Sequence, residues 1–183
     1  MKLPADLPIE SVPALIDTRE QDPLDLSPLC EERATLTTGD YSIRGLEHVV
    51  AIERKSLPDL LACCGRERER FDREVMRLLA YPTSALVVES NWAEIEAGDW
   101  RSELTPSQVI GSLLGWVAMG LPLLMADNHA RAGRYVSRLL YTTARRRWRE
   151  ARGLVQGVQD ARVCADLEKD LAEVINNKQE AIS

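Results

Sequence analysis

Four apolar residues, Val49-Val50-Ala51-Ile52, run directly into the charged triplet Glu53-Arg54-Lys55, and Pro58 follows three residues later. An apolar run rich in β-branched side chains reads as a buried strand, because stiff branched side chains pack well on a pleated surface. Side chains alternate between the two faces of a strand, so Glu53 and Lys55 share one face and Arg54 takes the other. A carboxylate and an ammonium at the polar end of a core strand cost desolvation energy unless they are paired or put to use. The chain is therefore built around a sheet with one strongly charged strand end.

Asp40 stands thirteen positions before Glu53, within Thr38-Gly39-Asp40-Tyr41. An Asp followed by Glu-x-Lys on the next strand can hold a divalent cation through carboxylate oxygens. Such a cation lowers the pKa of water and stabilises the charge that develops in phosphodiester hydrolysis. Mg²⁺ or Mn²⁺ is expected on Asp40 and Glu53, with the Arg54 backbone carbonyl as a further ligand and Lys55 positioning the water. Asp17 and Glu20 stand where they could support the metal or its waters. Asp59 could hold Lys55 or Arg54, or simply stabilise a helix N-terminus. Arg19 and Arg70 are phosphate-binding candidates, and His48 and His129 are not needed for this chemistry. A lone Glu-x-Lys is more often a solvated strand end, but here further residues agree.

Ile16-Asp17-Thr18-Arg19-Glu20 closes an earlier apolar run, Gly39-Asp40-Tyr41 follows, and Glu53-Arg54-Lys55-Ser56-Leu57-Pro58-Asp59-Leu60 completes the string. It resembles the nuclease domain of the XPF family of structure-specific endonucleases, whose signature reads V/I-D-x-R-E, then G-D-Y, then E-R-K-S-x-x-D-L. The likeness covers roughly residues 12 to 145. It implies a restriction-endonuclease-like α/β fold, a mixed sheet flanked by helices. It also implies a metal-dependent endonuclease acting on branched or junction DNA in repair or recombination, here in a stand-alone bacterial or phage-like form. By resemblance the site residues are Asp17, Arg19, Glu20, Asp40, Glu53, Arg54, Lys55, Asp59 and Arg70. Glu74 stands where the family usually carries a Gln. Two alternatives stay open: a catalytically silent DNA-binding or scaffold subunit, and a restriction-like nuclease with another nucleic-acid target.

In chain order, strands are predicted over 14–16, 34–38, 41–43 and 47–55, forming a meander that brings Asp17, Asp40 and Glu53 together. A short irregular helix is predicted over 22–32, despite Pro23 and Pro28. Helices follow over 57–64, with Ser56 as N-cap, and over 66–80, where Phe71, Val75, Leu78 and Leu79 share a face. A strand over 85–88, a short helix over 92–98, and a helix opened by Thr105 and Pro106 lead to a strand over 123–125. Asp127 or Asn128 then caps a helix running to about Arg152. The nuclease domain is assigned to 1–152 and a helical tail to 153–183, with Val163, Leu167, Leu171, Val174 and Ile175 at helical spacing. The tail is too short for the helix-hairpin-helix module that often follows in this family, so a homodimer or a protein partner is expected.

Net charge, −6, does not announce a nucleic-acid binder. The total conceals a basic helix, however, in which Arg131, Arg134, Arg138, Arg145, Arg146, Arg147, Arg149 and Arg152 are opposed only by Glu150. Arg54, Arg70, Arg145, Arg146 and Arg147 are thus the DNA-contact candidates, since guanidinium groups suit phosphate. The uncharged stretch 105–126 is long enough for a bilayer, but Gly111, Gly115, Gly120 and Pro122 interrupt it, and it reads as a buried helix and strand. Cys30, Cys63, Cys64 and Cys164 fit neither a zinc pattern nor a disulfide framework. With no apolar leader at the start, a cytoplasmic, nucleoid-associated setting is expected.

Overall fold

The register of one strand, β4 (Val50–Ser56), decides which side chains enter the core and which reach the polar edge. In the computed structural model, which describes residues 3–180 and of 170–180 the backbone alone, β4 lies inside a six-stranded sheet. The other strands are β1 (Pro13–Asp17), β2 (Cys30–Ala34), β3 (Tyr41–Ile43), β5 (Thr83–Glu89) and β6 (Leu123–Met125), in the order β2-β1-β3-β4-β5-β6. β4, β5 and β6 are parallel, β3 is antiparallel to both β1 and β4, and β2 runs parallel to β1. The sheet is mixed, as the α/β reading of the sequence requires.

Alternation along β4 divides the core in two. Val50 and Ile52 join Ala14, Ile16, Tyr41 and Val87 on one face, under Ala132, Val136 and Leu140 of helix α5 (His129–Glu180). Ala51, Leu86 and Val88 face α1 (Leu57–Cys64), α2 (Arg68–Leu78), α3 (Trp92–Ala97) and α4 (Pro106–Ala118). On this second face Phe71 is fully buried, a contribution of about 1.5–3 kcal/mol from area alone. Its ring meets Trp116 edge-on at 4.8 Å and 72°. The Trp116 indole in turn donates to Asp72 at 3.0 Å, so the ring's polar edge is not left unsatisfied.

The helix starts follow the capping rules read from the sequence. Ser56 accepts from the Asp59 amide, Thr105 and Gln108 form a reciprocal capping box, and Asn128 accepts from the Arg131 amide. The stretch 105–126 becomes α4, a turn and β6. Among the described residues no helix is long and apolar enough to cross a membrane. The four cysteines are free thiols, with Cys63 and Cys64 buried.

Three local expectations need correction. Residues 22–32 form no helix: Leu24, Leu26 and Leu29 point into the core from an extended loop, and Cys30–Ala34 is strand β2. That edge strand carries three charges and no apolar alternation, so its ladder with β1, and not its own pattern, makes it a strand. The strand predicted over 34–38 does not extend beyond Ala34, the last residue of β2, because the Leu36 amide is taken by the Asp17 carboxylate at 2.7 Å. Asp40 and β3 fill the gap between β1 and β4, so the sheet is not the predicted meander. Finally, α5 does not stop near Arg152 but continues through Gly153 and Gly157. An isolated Gly costs a helix only about 1 kcal/mol and does not end it without a left-handed cap.

The described residues divide into two compact units, residues 7–144 and residues 3–6 with 145–180, and α5 contributes to both. In the second unit Trp148 donates to the Pro4 carbonyl at 3.1 Å. The tail positions Leu171, Val174 and Ile175 lie outside the residues whose side chains are described.

The packing of α5 on the 22–29 loop makes a matched pair of glycines informative. A Cβ on Gly133 would sit 2.5 Å from the Asp25 carbonyl oxygen, whereas one on Gly111 of α4 meets nothing within 4 Å. Gly133→Ala is expected to cost about 1–3 kcal/mol, and Gly111→Ala to gain about 0.5–1 kcal/mol, by urea denaturation. Equal effects would remove the close loop–helix contact.

Candidate active site

Asp40 is fixed by hydrogen bonds on three sides. Its amide donates to the Ile52 carbonyl at 2.8 Å, and its carbonyl accepts from the Asp17 amide at 2.8 Å. Its side-chain Oδ2 accepts from the Arg54 amide at 2.9 Å. Gly39 makes this approach feasible: it has φ of +76°, and any Cβ there would lie 2.9 Å from the Ile52 carbonyl oxygen. The Gly-Asp pair thus lets the loop before β3 ride directly on β4.

One and three residues along β4 from Ile52, Glu53 and Lys55 point to the α1/α2 side. Lys55 Nζ is ion-paired with Glu53, lies 3.3 Å from the Arg54 carbonyl, and sits over the Phe71 ring at 5.4 Å. The Glu53 carboxyl is pushed up to about 7, chiefly by burial and then by the neighbouring Asp40 charge, with Lys55 opposing both. Asp40 is likewise raised, first by burial, against the pull of Lys55 and the Arg54 amide. Burial pulls Lys55 down, but Glu53 and Asp40 outweigh it and leave its pKa raised, so it stays an ammonium. One buried and one half-buried carboxylate share one ammonium, and the group is short of positive charge.

These side chains line an open cleft of about 560 Å³ together with Arg19, Glu20, Asp59, Arg70, Glu74 and Arg77. Among the described residues no three His, Cys, Asp or Glu side chains converge as a ready-made metal cage. The available donor set is Asp40, Glu53 and the Arg54 carbonyl, all oxygen. That chemistry fits a hard cation that keeps several of its waters, as Mg²⁺ does, and does not fit zinc.

Other expected residues are placed differently. The Asp17 side chain is 2% exposed and its oxygens accept from the Arg19 amide, the Arg19 guanidinium and the Leu36 amide at 2.7–3.1 Å. Burial raises its pKa, but those hydrogen bonds and the Arg19 charge leave it lowered. Asp17 therefore braces the turn that carries Arg19, itself 70% exposed at the cleft. Glu20 sits 3.7 Å from Arg54 and accepts from the Asp22 amide. Asp59 holds neither Lys55 nor Arg54 by an ion pair; its carboxylate accepts from Ser56 Oγ at 2.6 Å. Arg70 pairs with Glu67 at the cleft rim.

Arg54 departs most from expectation. Its guanidinium is 8% exposed and enclosed by Glu89 at 2.7 Å, Asp22 at 3.4 Å and Glu20 at 3.7 Å, so it offers no free edge to a phosphate. Sequence reasoning missed Glu89, Asp22 and His129, which complete this cluster, and Arg77 at the cleft. The available signal was an acid ending the next apolar run: parallel register pairs Ser56 with Glu89, and Arg54 and Glu89 share a face. Glu74, in the usual Gln position, lines the cleft and receives the Gly39 amide at 3.4 Å.

In the second unit, Arg145 and Arg146 are exposed and Arg147 half-buried, and Glu150 pairs with Arg146 and Arg147 at 3.1 and 2.8 Å.

Residues 16–139 match the ERCC4 domain. Among solved structures, XPF from Aeropyrum pernix is similar with a TM-score of 0.59 and 16% identity, over 81% of this chain and 73% of that one. XPF from Aeropyrum pernix in complex with DNA is similar with a TM-score of 0.60 and 17% identity, over 73% of this chain and 66% of that one. No curated protein matches the chain.

The crowded acids make a sign-specific prediction. Asp40 and Glu53 have raised pKa values in the fold, so their contribution to stability is full at low pH and is lost as pH rises through the folded values. Asp40→Asn keeps an acceptor for the Arg54 amide and removes one charge. In EDTA it should be more stable than wild type by about 1 kcal/mol at pH 8, with the gain fading towards pH 4. A Tm difference that does not change with pH would contradict the assignment.

Proposed function

The chain belongs to the ERCC4 domain family, and from that membership we propose that it is a divalent-metal-dependent endonuclease hydrolysing phosphodiester bonds in branched or junction DNA. The observation that carries the proposal is the convergence of Asp40, Glu53 and the Lys55 ammonium on one open cleft rimmed by Arg19, Arg70 and Arg77. Two carboxylates, one ammonium, a divalent cation and a phosphodiester together sum to zero charge, which is what a partly desolvated site requires.

Each side chain then has a role. Asp40, Glu53 and the Arg54 carbonyl would hold Mg²⁺ or Mn²⁺. When bound, the cation supplies an acidified water and a counter-charge for the phosphorane. Lys55 stays protonated, so it is no base; it orients the water and offsets phosphate charge. Asp17 orients Arg19, and Arg19, Arg70 and Arg77 contact the backbone phosphates. Exposed Arg145 and Arg146, with half-buried Arg147, would add a sequence-independent phosphate contact. The DNA bound by one structural relative supports a DNA target, and the setting proposed is bacterial or phage repair and recombination in the cytoplasm. A second copy of the chain or a protein partner is proposed to share in substrate selection.

Flap, fork, four-way-junction and plain duplex DNA, incubated with Mg²⁺ or Mn²⁺, test the activity. Branched substrates should be cut, and Asp40→Ala or Glu53→Ala should lower kcat by at least about 10³-fold with little loss of fold. Full activity in either variant removes the metal assignment; junction binding without cutting by the wild type favours a silent subunit. Replacing Arg145, Arg146 and Arg147 together with Ala should flatten the slope of log affinity against log salt by about 2–3 units. An unchanged slope returns that surface to a solvated helix face.

A further inference from the structure

Four chain segments meet at the Arg54 guanidinium, on the face of β4 opposite Glu53 and Lys55. Glu20 and Asp22 come from the turn after β1, Glu89 from the end of β5, and His129 from the first position of α5. Glu89 Oε1 is the shared atom: Arg54 Nε donates to it at 2.7 Å, and His129 Nδ1 lies 2.8 Å away. Two lone pairs at 2.8 Å would repel, so the proton belongs on His129 Nδ1, which donates to Glu89. The 3.1 Å approach of Arg54 Nη2 to the same nitrogen is then a contact and not a hydrogen bond. Arg54 thus holds three carboxylates in place, and His129 locks the shortest of the contacts, that to Glu89.

The consequence reaches the cleft through the main chain. The Arg54 amide donates to Asp40, the Arg54 carbonyl lies against Lys55 Nζ, and the residues on either side are Glu53 and Lys55. A guanidinium clamped on one face of β4 fixes the peptide units whose other face carries the acids and the ammonium. We propose that His129 and Glu89 are positioning residues of the nuclease centre, clamping Arg54 so that the strand presents Glu53, Lys55 and the Arg54 carbonyl to the cleft in one orientation. This rests on the nuclease reading for its catalytic meaning, and on the hydrogen bonds alone for its mechanical one. Arg54 therefore serves the site from behind, as an anchor.

His129 is 39% exposed, so truncating it leaves the core intact. His129→Ala should lower kcat about 10- to 100-fold with KM for DNA changed less than about twofold, and Glu89→Gln should act in the same direction. His129→Asn, whose amide N–H can stand where Nδ1–H stood, should recover most of the loss; a purely structural role would show no such rescue. The readout independent of cleavage is hydrogen exchange in the metal-free protein. The Arg54 amide should exchange about tenfold faster in His129→Ala, and near the wild-type rate in His129→Asn. Wild-type kcat and exchange in His129→Ala would overturn the proposal. If wild-type protein cuts no DNA, the nuclease reading falls, and the exchange rates alone then decide whether the clamp exists.

Discussion

The arrangement depends on the seating of Asp40 between two strands. Its amide and carbonyl are spent on Ile52 and Asp17, and its carboxylate receives the Arg54 amide. Main-chain bonds of this kind fix a side chain far more tightly than a rotamer preference does, because the backbone cannot move without breaking the sheet. Gly39 is the condition for it, since no other residue tolerates both its φ and its contact with Ile52. Asp40 therefore reaches the neighbourhood of Glu53 as part of the ladder, and the loop has no freedom to withdraw it.

β4 works as a two-sided device. One side carries Glu53 and Lys55 into an open cleft, where like charges and burial raise both carboxyl pKa values. The other side carries Arg54 into a ring of three carboxylates, each within ion-pair reach of its guanidinium. The contrast fits the usual trade between stability and activity: the satisfied face holds the strand and the unsatisfied face is left ready for a ligand. A net acidic chain is compatible with DNA chemistry on these terms, because exposed arginines rim the cleft and recur along α5 whatever the total charge.

The residues that converge on the cleft were legible in the sequence because they are tied to local features. Gly-Asp-Tyr and Glu-Arg-Lys mark a tight turn and a strand end, and alternation alone puts Glu53 and Lys55 on one face. Helix starts at Ser56, Thr105 and Asn128 were equally legible, since a cap is a contact over three residues. Strand β2 was not: Cys30-Glu31-Glu32-Arg33-Ala34 has no strand pattern of its own and exists because β1 offers it an open edge. The length of α5 was not legible either, since glycine weakens a helix without ending it.

The sequence by itself carried the family resemblance in its Gly39-Asp40-Tyr41 and Glu53-Arg54-Lys55-Ser56 motifs, and short-range periodicity carried the α/β class and the shared face of Glu53 and Lys55. Only the tertiary structure decided what Arg54, Asp17, Asp59 and His129 do. Each of those groups takes its role from a partner: Glu89 is 35 positions from Arg54 and His129 is 75, and Leu36 is 19 from Asp17. A charge in a sequence announces that it must be solvated or paired, but only the fold supplies the partner, because pairing depends on distances in space that no local pattern encodes.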